Sequence, residues 1–259
     1  MKSRLTTALV MGTLLVAGVL FCVPDAVAQT AQNEWRVLPS RVYININGAY
    51  QRRSGFSETL TESLYGEDAT YTSTHGRRDG ILIDGGFGVR VWSNLALGVA
   101  VSAFSNTGAA VLEGKVPHPL FFNRFRTVTS QRSGVDHRQV GYHGQLSWFV
   151  PVSDKFDFAI FGGPSFYNVD QQVARQITIT NSGERFNNAT ISNLITQVTS
   201  GTGIGGNLGV DIAYLFTDVI GVGVMFRWSS GSVDLATSES SQSFDVSGLQ
   251  MGFGARVRF

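Results

Sequence analysis

Leu249-Gln-Met-Gly-Phe-Gly-Ala-Arg-Val-Arg-Phe259 alternates between apolar residues at odd positions and polar residues or glycine at even positions. A period of two is typical of a β-strand whose two faces meet different surroundings. Both charged residues of the segment, Arg256 and Arg258, lie on the even face. The segment therefore predicts a strand with one apolar and one polar face.

The same alternation recurs in seven other segments, each about 9–11 residues long, which is the length that one tilted strand needs to cross a bilayer. They are residues 42–50, 81–91, 95–103, 140–150, 156–166, 208–216 and 220–228. No residue on the apolar face of any of these eight segments is charged, although 15% of the chain is. Because a Lys or Arg on the lipid face at the bilayer midplane costs about 2–4 kcal/mol, this absence predicts strands that face lipid.

The composition supports an all-β membrane protein. The 259 residues include 30 Gly and 18 Phe but only 4 Met, with 43% hydrophobic residues and a mean hydropathy of +0.07. This bias disfavours helical bundles, and the apolar content excludes a largely disordered chain. A net charge of +1 gives no basic field that would indicate a nucleic-acid partner.

The connections between the segments predict the topology. Short turns at 93–94, 153–154 and 217–218 alternate with four long connections at 51–80, 104–139, 167–207 and 229–248. Alternating short turns and long loops is the bacterial outer-membrane pattern, with the turns in the periplasm and the loops outside. We therefore expect an eight-stranded, antiparallel, up-and-down transmembrane β-barrel with both ends on the periplasmic side.

Aromatic residues on the apolar face fall into two groups at the ends of the predicted strands. The outer group is Tyr50, Tyr142, Phe166 and Trp228, and the periplasmic group is Trp148, Phe156, Tyr214, Phe216 and Phe259. Aromatic girdles at both interfaces are typical of membrane barrels. The grouping therefore agrees with the orientation that the turns predict.

The amino-terminal residues predict export. Lys2 and Arg4 precede the mostly apolar stretch 5–23, and Ala26-Val-Ala28 has the small residues that signal peptidase requires. We expect a signal peptide over residues 1–28, a short periplasmic segment over 29–40 and a barrel over 41–259. The single cysteine, Cys22, lies in the signal peptide, which excludes disulfides and thiolate chemistry in the exported chain.

Met251-Gly-Phe-Gly-Ala-Arg-Val-Arg-Phe259 resembles the terminal strand of the small eight-stranded outer-membrane barrels, the OmpA transmembrane-domain, OmpX and opacity-protein kind. The resemblance covers essentially the whole exported chain and depends on pattern more than on motif. It implies a location in the outer membrane of a Gram-negative-type cell. It also implies that Phe253, Val257 and Phe259 form an assembly signal for the barrel-assembly machinery.

The polar faces of the segments carry charges that point into the barrel. They are Asp84, Arg90, Asp157, Asp211, Arg227, Arg256 and Arg258. Eight strands leave an interior only wide enough for side chains to fill. We therefore expect a lumenal ion network that plugs the barrel, with Asp211 and Arg227 as neighbours on the sixth and seventh strands.

The long connections contain two features that bear on recognition. In the second, aromatic residues alternate with arginines, and we take Phe121, Phe122, Arg124, Phe125 and Arg126 as a candidate contact surface, with packing onto the barrel rim as the alternative. In the third, residues 176–180 and 189–192 flank a turn at 181–183. That pattern predicts a hairpin that extends the fifth and sixth strands beyond the membrane.

Catalytic and cofactor signals are weak. The glycines of 201–206 precede a strand, whereas a nucleotide loop precedes a helix. His143 and Ser147 share a face but lie roughly 13 Å apart along a strand, and the four histidines show no metal-ligand spacing. We expect neither a metal nor another cofactor.

The favoured function is a non-enzymatic, structural or surface-interaction role carried by four extracellular loops on a monomer. Its partners would be outer-membrane lipid and lipopolysaccharide and an extracellular ligand that the sequence does not identify. A small-solute channel is the alternative, and a lipid-A-modifying enzyme is the third hypothesis.

We expect residues 1–28 to be absent from the exported protein, because the small-residue site ends at Ala28. Amino-terminal sequencing of protein extracted from the membrane should begin at Gln29. Recovery of Met1 would show that the segment is retained as an anchor.

Overall fold

The fold is given by a computed structural model, which describes residues 40–53, 55–76, 79–236 and 241–259. The predicted signal peptide and nearly all of the predicted lead-in segment lie outside the described residues. None of the described residues belongs to a helix that is long and apolar enough to cross a membrane.

Eleven strands and one short 3₁₀ turn make up the described part of the chain. The strands are β1 (Val42–Arg53), β2 (Phe56–Leu64), β3 (Glu67–His75), β4 (Gly80–Trp92), β5 (Leu95–Pro117), β6 (Phe125–Pro151), β7 (Phe156–Ser182), β8 (Asn188–Leu215), β9 (Ile220–Ala236), β10 (Ser241–Asp245) and β11 (Gly248–Arg258). The 3₁₀ turn (Glu184–Phe186) joins β7 to β8.

Eight of these strands form a closed antiparallel ring in the order β1, β4, β5, β6, β7, β8, β9 and β11. The ring closes where β11 pairs with β1, from Tyr43 opposite Arg258 to Arg53 opposite Gly248. The eight predicted strands and their up-and-down order are confirmed. Closure leaves no open sheet edge within the ring, which is the condition for a sheet to lie in hydrocarbon.

The two faces of the ring differ as the alternation predicts. Arg227 and Arg256 on the inner face are completely buried. On the outer face large apolar side chains are exposed, among them Ile81 at 76% and Ile204 at 70%. An apolar, uncharged exterior around a polar interior is the arrangement of a transmembrane β-barrel. The molecule is therefore an eight-stranded transmembrane barrel.

Four ring strands continue far beyond the length that a bilayer requires. β5 has 23 residues, β6 and β7 have 27 each, and β8 has 28, against about 9–11 for one crossing. The predicted extension of the third connection is confirmed, because β7 and β8 pair up to Ser182 and Asn188. The expectation that the other connections are loops is wrong.

Those other connections are also β-structure. β2 and β3 form a hairpin in the first connection, and β3 pairs with the upper part of β5, from Thr70 opposite Lys115 to His75 opposite Ala110. The second connection is the continued β5–β6 ladder, and the fourth holds β10, which pairs with β9. Where the strands extend beyond the lipid, their outer face need not be apolar. The sequence there no longer alternates strictly between apolar and polar residues, although the β-structure continues.

Backbone hydrogen bonds of Phe259 complete the β11–β1 seam. Its N–H donates to the carbonyl of Val42 at 2.9 Å, and its carbonyl accepts the N–H groups of Val42, at 2.9 Å, and of Arg41. The side chain is 61% exposed on the outer face. The residue therefore contributes both a seam contact and an apolar group at the periplasmic rim.

Deleting Phe259 should lower the folded, heat-modifiable fraction recovered from membranes, because it removes these seam hydrogen bonds together with the phenyl side chain. The matched variant Phe259→Ala keeps the backbone contacts and therefore isolates the contribution of the phenyl side chain to the assembly signal. Unchanged folding yield in cells for both variants would contradict the assembly role.

Candidate functional site

An ion pair crosses the lumen between Asp84 on β4 and Arg227 on β9. Arg227 Nη2 donates to Asp84 Oδ2 at 2.6 Å, and Arg227 Nε donates to Gln250 Oε1 at 2.7 Å. The two charged side chains are 3% and 0% exposed. β1 and β11 separate the two strands in the ring, so this pair joins parts of the wall that are not adjacent.

A second ion pair lies beside the first and is connected to it. Arg256 donates through Nε to Asp211 Oδ2 at 2.9 Å and through Nη2 to Asp211 Oδ1. Arg256 Nη1 also donates to Asn47 Oδ1 at 2.7 Å, and Asn47 Nδ2 donates to Asp84 Oδ1 at 3.1 Å. Asn47 therefore links the two pairs into one network, in which paired and hydrogen-bonded charges offset the cost of burial.

Towards the periplasm the network continues to Arg258. Its Nε lies 3.7 Å from Asp157 Oδ2, its Nη2 lies 4.0 Å from Asp211 Oδ2, and its Nη1 donates to Asn45 Oδ1 at 2.9 Å. The guanidinium carbon lies 5.6 Å from the ring centroid of Tyr43 and 5.4 Å from that of Phe149. Aromatic faces at these distances attract a cation.

The structure changes one pairing of the predicted network and shows how Arg90 is placed. Asp211 lies opposite Met225, two residues from Arg227, as the predicted neighbour relation requires, but its ion pairs are with Arg256 and Arg258. Arg90 is only half-buried at the periplasmic end of β4, and its backbone N–H donates to the carbonyl of Arg41 at 2.7 Å. The lumenal ion pairs join Arg227 to Asp84, Arg256 to Asp211, and Arg258 to Asp157 and Asp211.

A small cavity lies inside the barrel beside this network. A cavity of about 20 Å³ lies between Asn47, Asp84, Asp211 and Met225, which is about the space for one water molecule.

Described residues of the fourth connection lie at the extracellular end of the lumen. Phe244 of β10 is buried, and the guanidinium carbon of Arg53 lies 4.7 Å from its ring centroid. Arg53 Nη1 lies 2.8 Å from His137 Nε2 and donates to Gln139 Oε1 at 2.8 Å, and its Nη2 donates to the carbonyl of Asp245 at 2.7 Å. This cluster holds the Phe244 ring over the mouth of the barrel. The alternation of the sequence does not predict this arrangement.

His143 contacts two serines, neither of which is Ser147. Its Nε2 lies 3.0 Å from Ser102 Oγ on β5, and its Nδ1 lies 2.8 Å from Ser165 Oγ on β7. Ser147 instead lies 3.4 Å from the hydroxyl of Tyr43. The partners of His143 come from neighbouring strands, so spacing along one strand could not reveal them. A serine–histidine contact is the starting point for nucleophilic catalysis, but this one is buried inside the lumen.

Arg126 holds the tips of the extracellular hairpins together. Its Nη1 donates to Asn181 Oδ1 at 2.7 Å and to the carbonyl of Phe186 at 2.8 Å, and its Nη2 donates to the carbonyl of Pro117 at 2.8 Å. Burial lowers the pKa of Arg126 below its ordinary value, yet an arginine remains charged at neutral pH. Its predicted role as an exposed contact residue is wrong, because only 8% of it is exposed.

The β2–β3 hairpin joins the same assembly of tips. Asn181 Nδ2 donates to the hydroxyl of Tyr65 at 2.7 Å, and the backbone N–H of Asn123 donates to Glu67 Oε1 at 2.9 Å. Tips of β2–β3, β5–β6 and β7–β8 are therefore connected by side-chain hydrogen bonds at one place.

These hairpins share an apolar core of their own outside the membrane. Its buried members are Ala69, Tyr71, Leu112, Val116, Val128 and Ile177. Burial, more than the nearby Glu62 carboxylate and Tyr65, raises the pKa of the Tyr71 phenol from 10.0 to about 12. The phenol is therefore neutral at physiological pH, as an apolar core requires.

Above this core the turn between β5 and β6 exposes apolar side chains. Phe122 is 74% exposed, and Leu120, Phe121 and Phe125 are exposed as well. The ring of Phe121 lies 4.9 Å from that of His118 and 5.7 Å from the guanidinium carbon of Arg124. We call Leu120, Phe121, Phe122, Arg124 and Phe125 the tip patch. The predicted alternative, packing onto the barrel rim, does not apply to these side chains.

The described residues show no metal site, either in the lumenal network or at the hairpin tips. Among the described residues, no three His, Cys, Asp or Glu side chains are grouped so that they could hold a metal ion.

No protein-family model matches the chain, and no curated protein matches it significantly. Solved structures similar to it include Neisserial surface protein A, at 12% identity and a TM-score of 0.44, with 84% of this chain and 97% of that chain covered. Outer membrane protein OprG from Pseudomonas aeruginosa shows 11% identity and a TM-score of 0.45, with 85% and 96% covered. The outer membrane protease OmpT from Escherichia coli shows 10% identity and a TM-score of 0.49, with 88% and 100% covered.

Breaking the Asp84–Arg227 pair should destabilise the barrel strongly and non-additively. Asp84→Ala or Arg227→Ala alone leaves a charge buried without its partner, at a cost of about 3–5 kcal/mol in a dry site. The double variant should lose much less than the sum of the two, as urea unfolding of the refolded barrel would measure.

Glu58→Ala combined with Arg227→Ala is the matched control, because Glu58 lies on the extracellular strand β2 and its ion pair is with His75, outside the lumenal network. Their losses should add to within about 0.5 kcal/mol. Small, additive losses for Asp84 and Arg227 would instead show that water screens the lumen, as it does for surface pairs.

Proposed function

We propose that this protein is a non-enzymatic outer-membrane barrel whose extracellular hairpins present a rigid surface for interaction with another molecule. The observation that supports this proposal is the assembly of three hairpin tips around Arg126, beneath the exposed tip patch. Soluble surfaces seldom expose several large apolar side chains together without a binding role. Aromatic residues and arginine are also the types that are enriched where proteins bind.

The dimensions of the hairpins favour contact at a distance from the membrane. β6, which begins at Phe125 of the tip patch, has 27 residues, of which about 10 cross the bilayer. The remainder, at about 3.3 Å per residue, extends the sheet by roughly 60 Å along the strand direction. The tip patch is therefore far from the lipid of its own membrane, and its exposed rings would meet a partner outside it.

A small-solute channel has less support, because the described lumen holds paired charges, a cavity of about 20 Å³ and Phe244 across its outer end. A lipid-modifying enzyme would need its nucleophile at a surface that lipid can reach. The Ser102–His143 contact lies inside the barrel, where both residues are buried. We therefore place the channel second and the enzyme third.

The remaining partners follow from the same proposal. Export to the outer membrane would pass through the barrel-assembly machinery, and lipid and lipopolysaccharide would surround the uncharged outer face. The ring of β1 to β11 closes within one chain, which agrees with a monomer.

The proposal predicts that the tip patch carries adhesion. Cells that display the double variant Phe121→Ser, Phe122→Ser should adhere less than wild-type cells to epithelial monolayers and to protein-coated or polysaccharide-coated surfaces, because exposed aromatic area is lost. Val198→Ser is the matched control, since it removes an exposed apolar side chain from the flank of β8.

Planar-bilayer recordings of the same proteins complete the test. We expect no steady conductance from the wild-type barrel. Two results together would contradict the surface role and favour the channel. One is that wild-type cells adhere to none of the surfaces better than cells that lack the protein. The other is a reproducible conductance.

A further inference from the structure

A groove of about 530 Å³ lies on the outside of the barrel across strands β6 to β9. Small-molecule sites have volumes of about 300–1,000 Å³, so the groove is large enough to hold part of a lipid. Its outward-facing lining consists of Tyr142, Phe166, Asn168, Thr202, Ile204, Ser232 and Asp234.

Strand register explains the shape of the groove. Tyr142, Phe166, Ile204 and Ser232 lie side by side in one row across the four strands. Three of these side chains are large and exposed, whereas the fourth, Ser232, is small. The surface is therefore lower at Ser232, beside Ile204, and the larger side chains form the wall of the groove.

The groove is continuous with the surface that faces the bilayer. Tyr142 and Phe166 are two of the four aromatic residues that the sequence predicts for the outer girdle, which in membrane barrels lies at the level of lipid headgroups. The residues below this row are those of the uncharged lipid face. A groove that opens at this level is filled by the surrounding lipid, so its occupant is a lipid and not a soluble molecule.

A polar row borders the groove on its extracellular side. Asn168 pairs with Thr202, and Thr202 pairs with Asp234, two residues further along each strand than the apolar row. At about 3.3 Å per residue the polar atoms lie roughly 7 Å above the aromatic wall. The described residues that line the groove include one carboxylate and no Lys or Arg.

We propose that this groove is a binding site for a lipid whose headgroup carries an ammonium group. One acyl chain packs against Phe166 and Ile204, and the ammonium group donates to Asp234 and to the hydroxyl of Thr202. A carboxylate with neutral acceptors complements a positive donor group and disfavours an anionic headgroup that lacks one.

The test uses the folded full-length exported protein in vesicles of equimolar phosphatidylethanolamine and phosphatidylglycerol. Native mass spectrometry then counts the lipid molecules that remain bound. We expect phosphatidylethanolamine to be retained in preference by about two- to fivefold, the scale of one solvent-accessible ion pair. Asp234→Asn should abolish the preference, because it removes the charge and keeps the shape.

Ser232→Trp should fill the groove and remove the retained lipid of both kinds. Ile83→Trp is the matched control, because Ile83 is an exposed residue in the same row as Asn168, reached through Ala103 and Val140. Heat-modifiable mobility of each variant shows that the barrel has folded.

Equal retention of the two lipids by the wild-type protein, or unchanged retention in Ser232→Trp, would overturn the proposal. A further arm adds lipid A to the vesicles. Displacement of phosphatidylethanolamine by lipid A would show that the groove selects sugar-bearing lipid and would overturn the assignment of an ammonium headgroup.

Discussion

Closure of the sheet between β1 and β11 is the constraint on which the rest of the structure depends. Hydrocarbon offers no water to replace a missing partner of a backbone N–H or carbonyl group, so the ring has to satisfy all of them itself. The seam is continuous from Tyr43 opposite Arg258 to Arg53 opposite Gly248. A slip of one residue would turn Arg256 and Arg258 towards lipid, so the requirement for closure also fixes the register.

A closed ring of eight strands dictates what the interior can contain. Its walls are close enough for side chains to meet across the lumen, and Arg227 reaches Asp84 across the two strands between them. Buried ion pairs are weak sources of stability, since desolvation offsets much of their attraction. An alternative register would leave full charges without partners, so these pairs would disfavour it.

The transmembrane part of the fold could be predicted from the sequence because lipid imposes a strict rule on every second residue. The outward positions of β4 and β11, for example, are uncharged without exception. No comparable rule determines which lumenal side chains form ion pairs or hydrogen bonds with each other. The partner of Arg227 depends on the stagger of strands that are not neighbours, and the serines beside His143 come from two different strands.

Extracellular β-structure escaped prediction for a related reason. In β3 the inward residues Ala69 and Tyr71 are apolar, but the inward residues Ser73 and His75 are polar, so the strand has no continuous apolar face. The turn at 181–183 between β7 and β8 is a recognisable turn signal, and Tyr65-Gly66 between β2 and β3, where both φ angles are positive, is a weaker one. Arg126 gave no sign of burial in the sequence, because the carbonyl groups of Pro117 and Phe186 that it binds are backbone atoms.

The separate core of the hairpins bears on how the tip patch would bind. A flexible loop has to be ordered when it binds, and each immobilised side chain costs about 0.5–1.5 kcal/mol. Here the hydrogen bonds of Arg126 and the packing around Tyr71 fix the tips during folding. Phe121 and Phe122 therefore stand on a backbone that is already ordered, so most of that cost is met before a partner arrives. A barrel that only needed soluble connections between its strands would not require this second core.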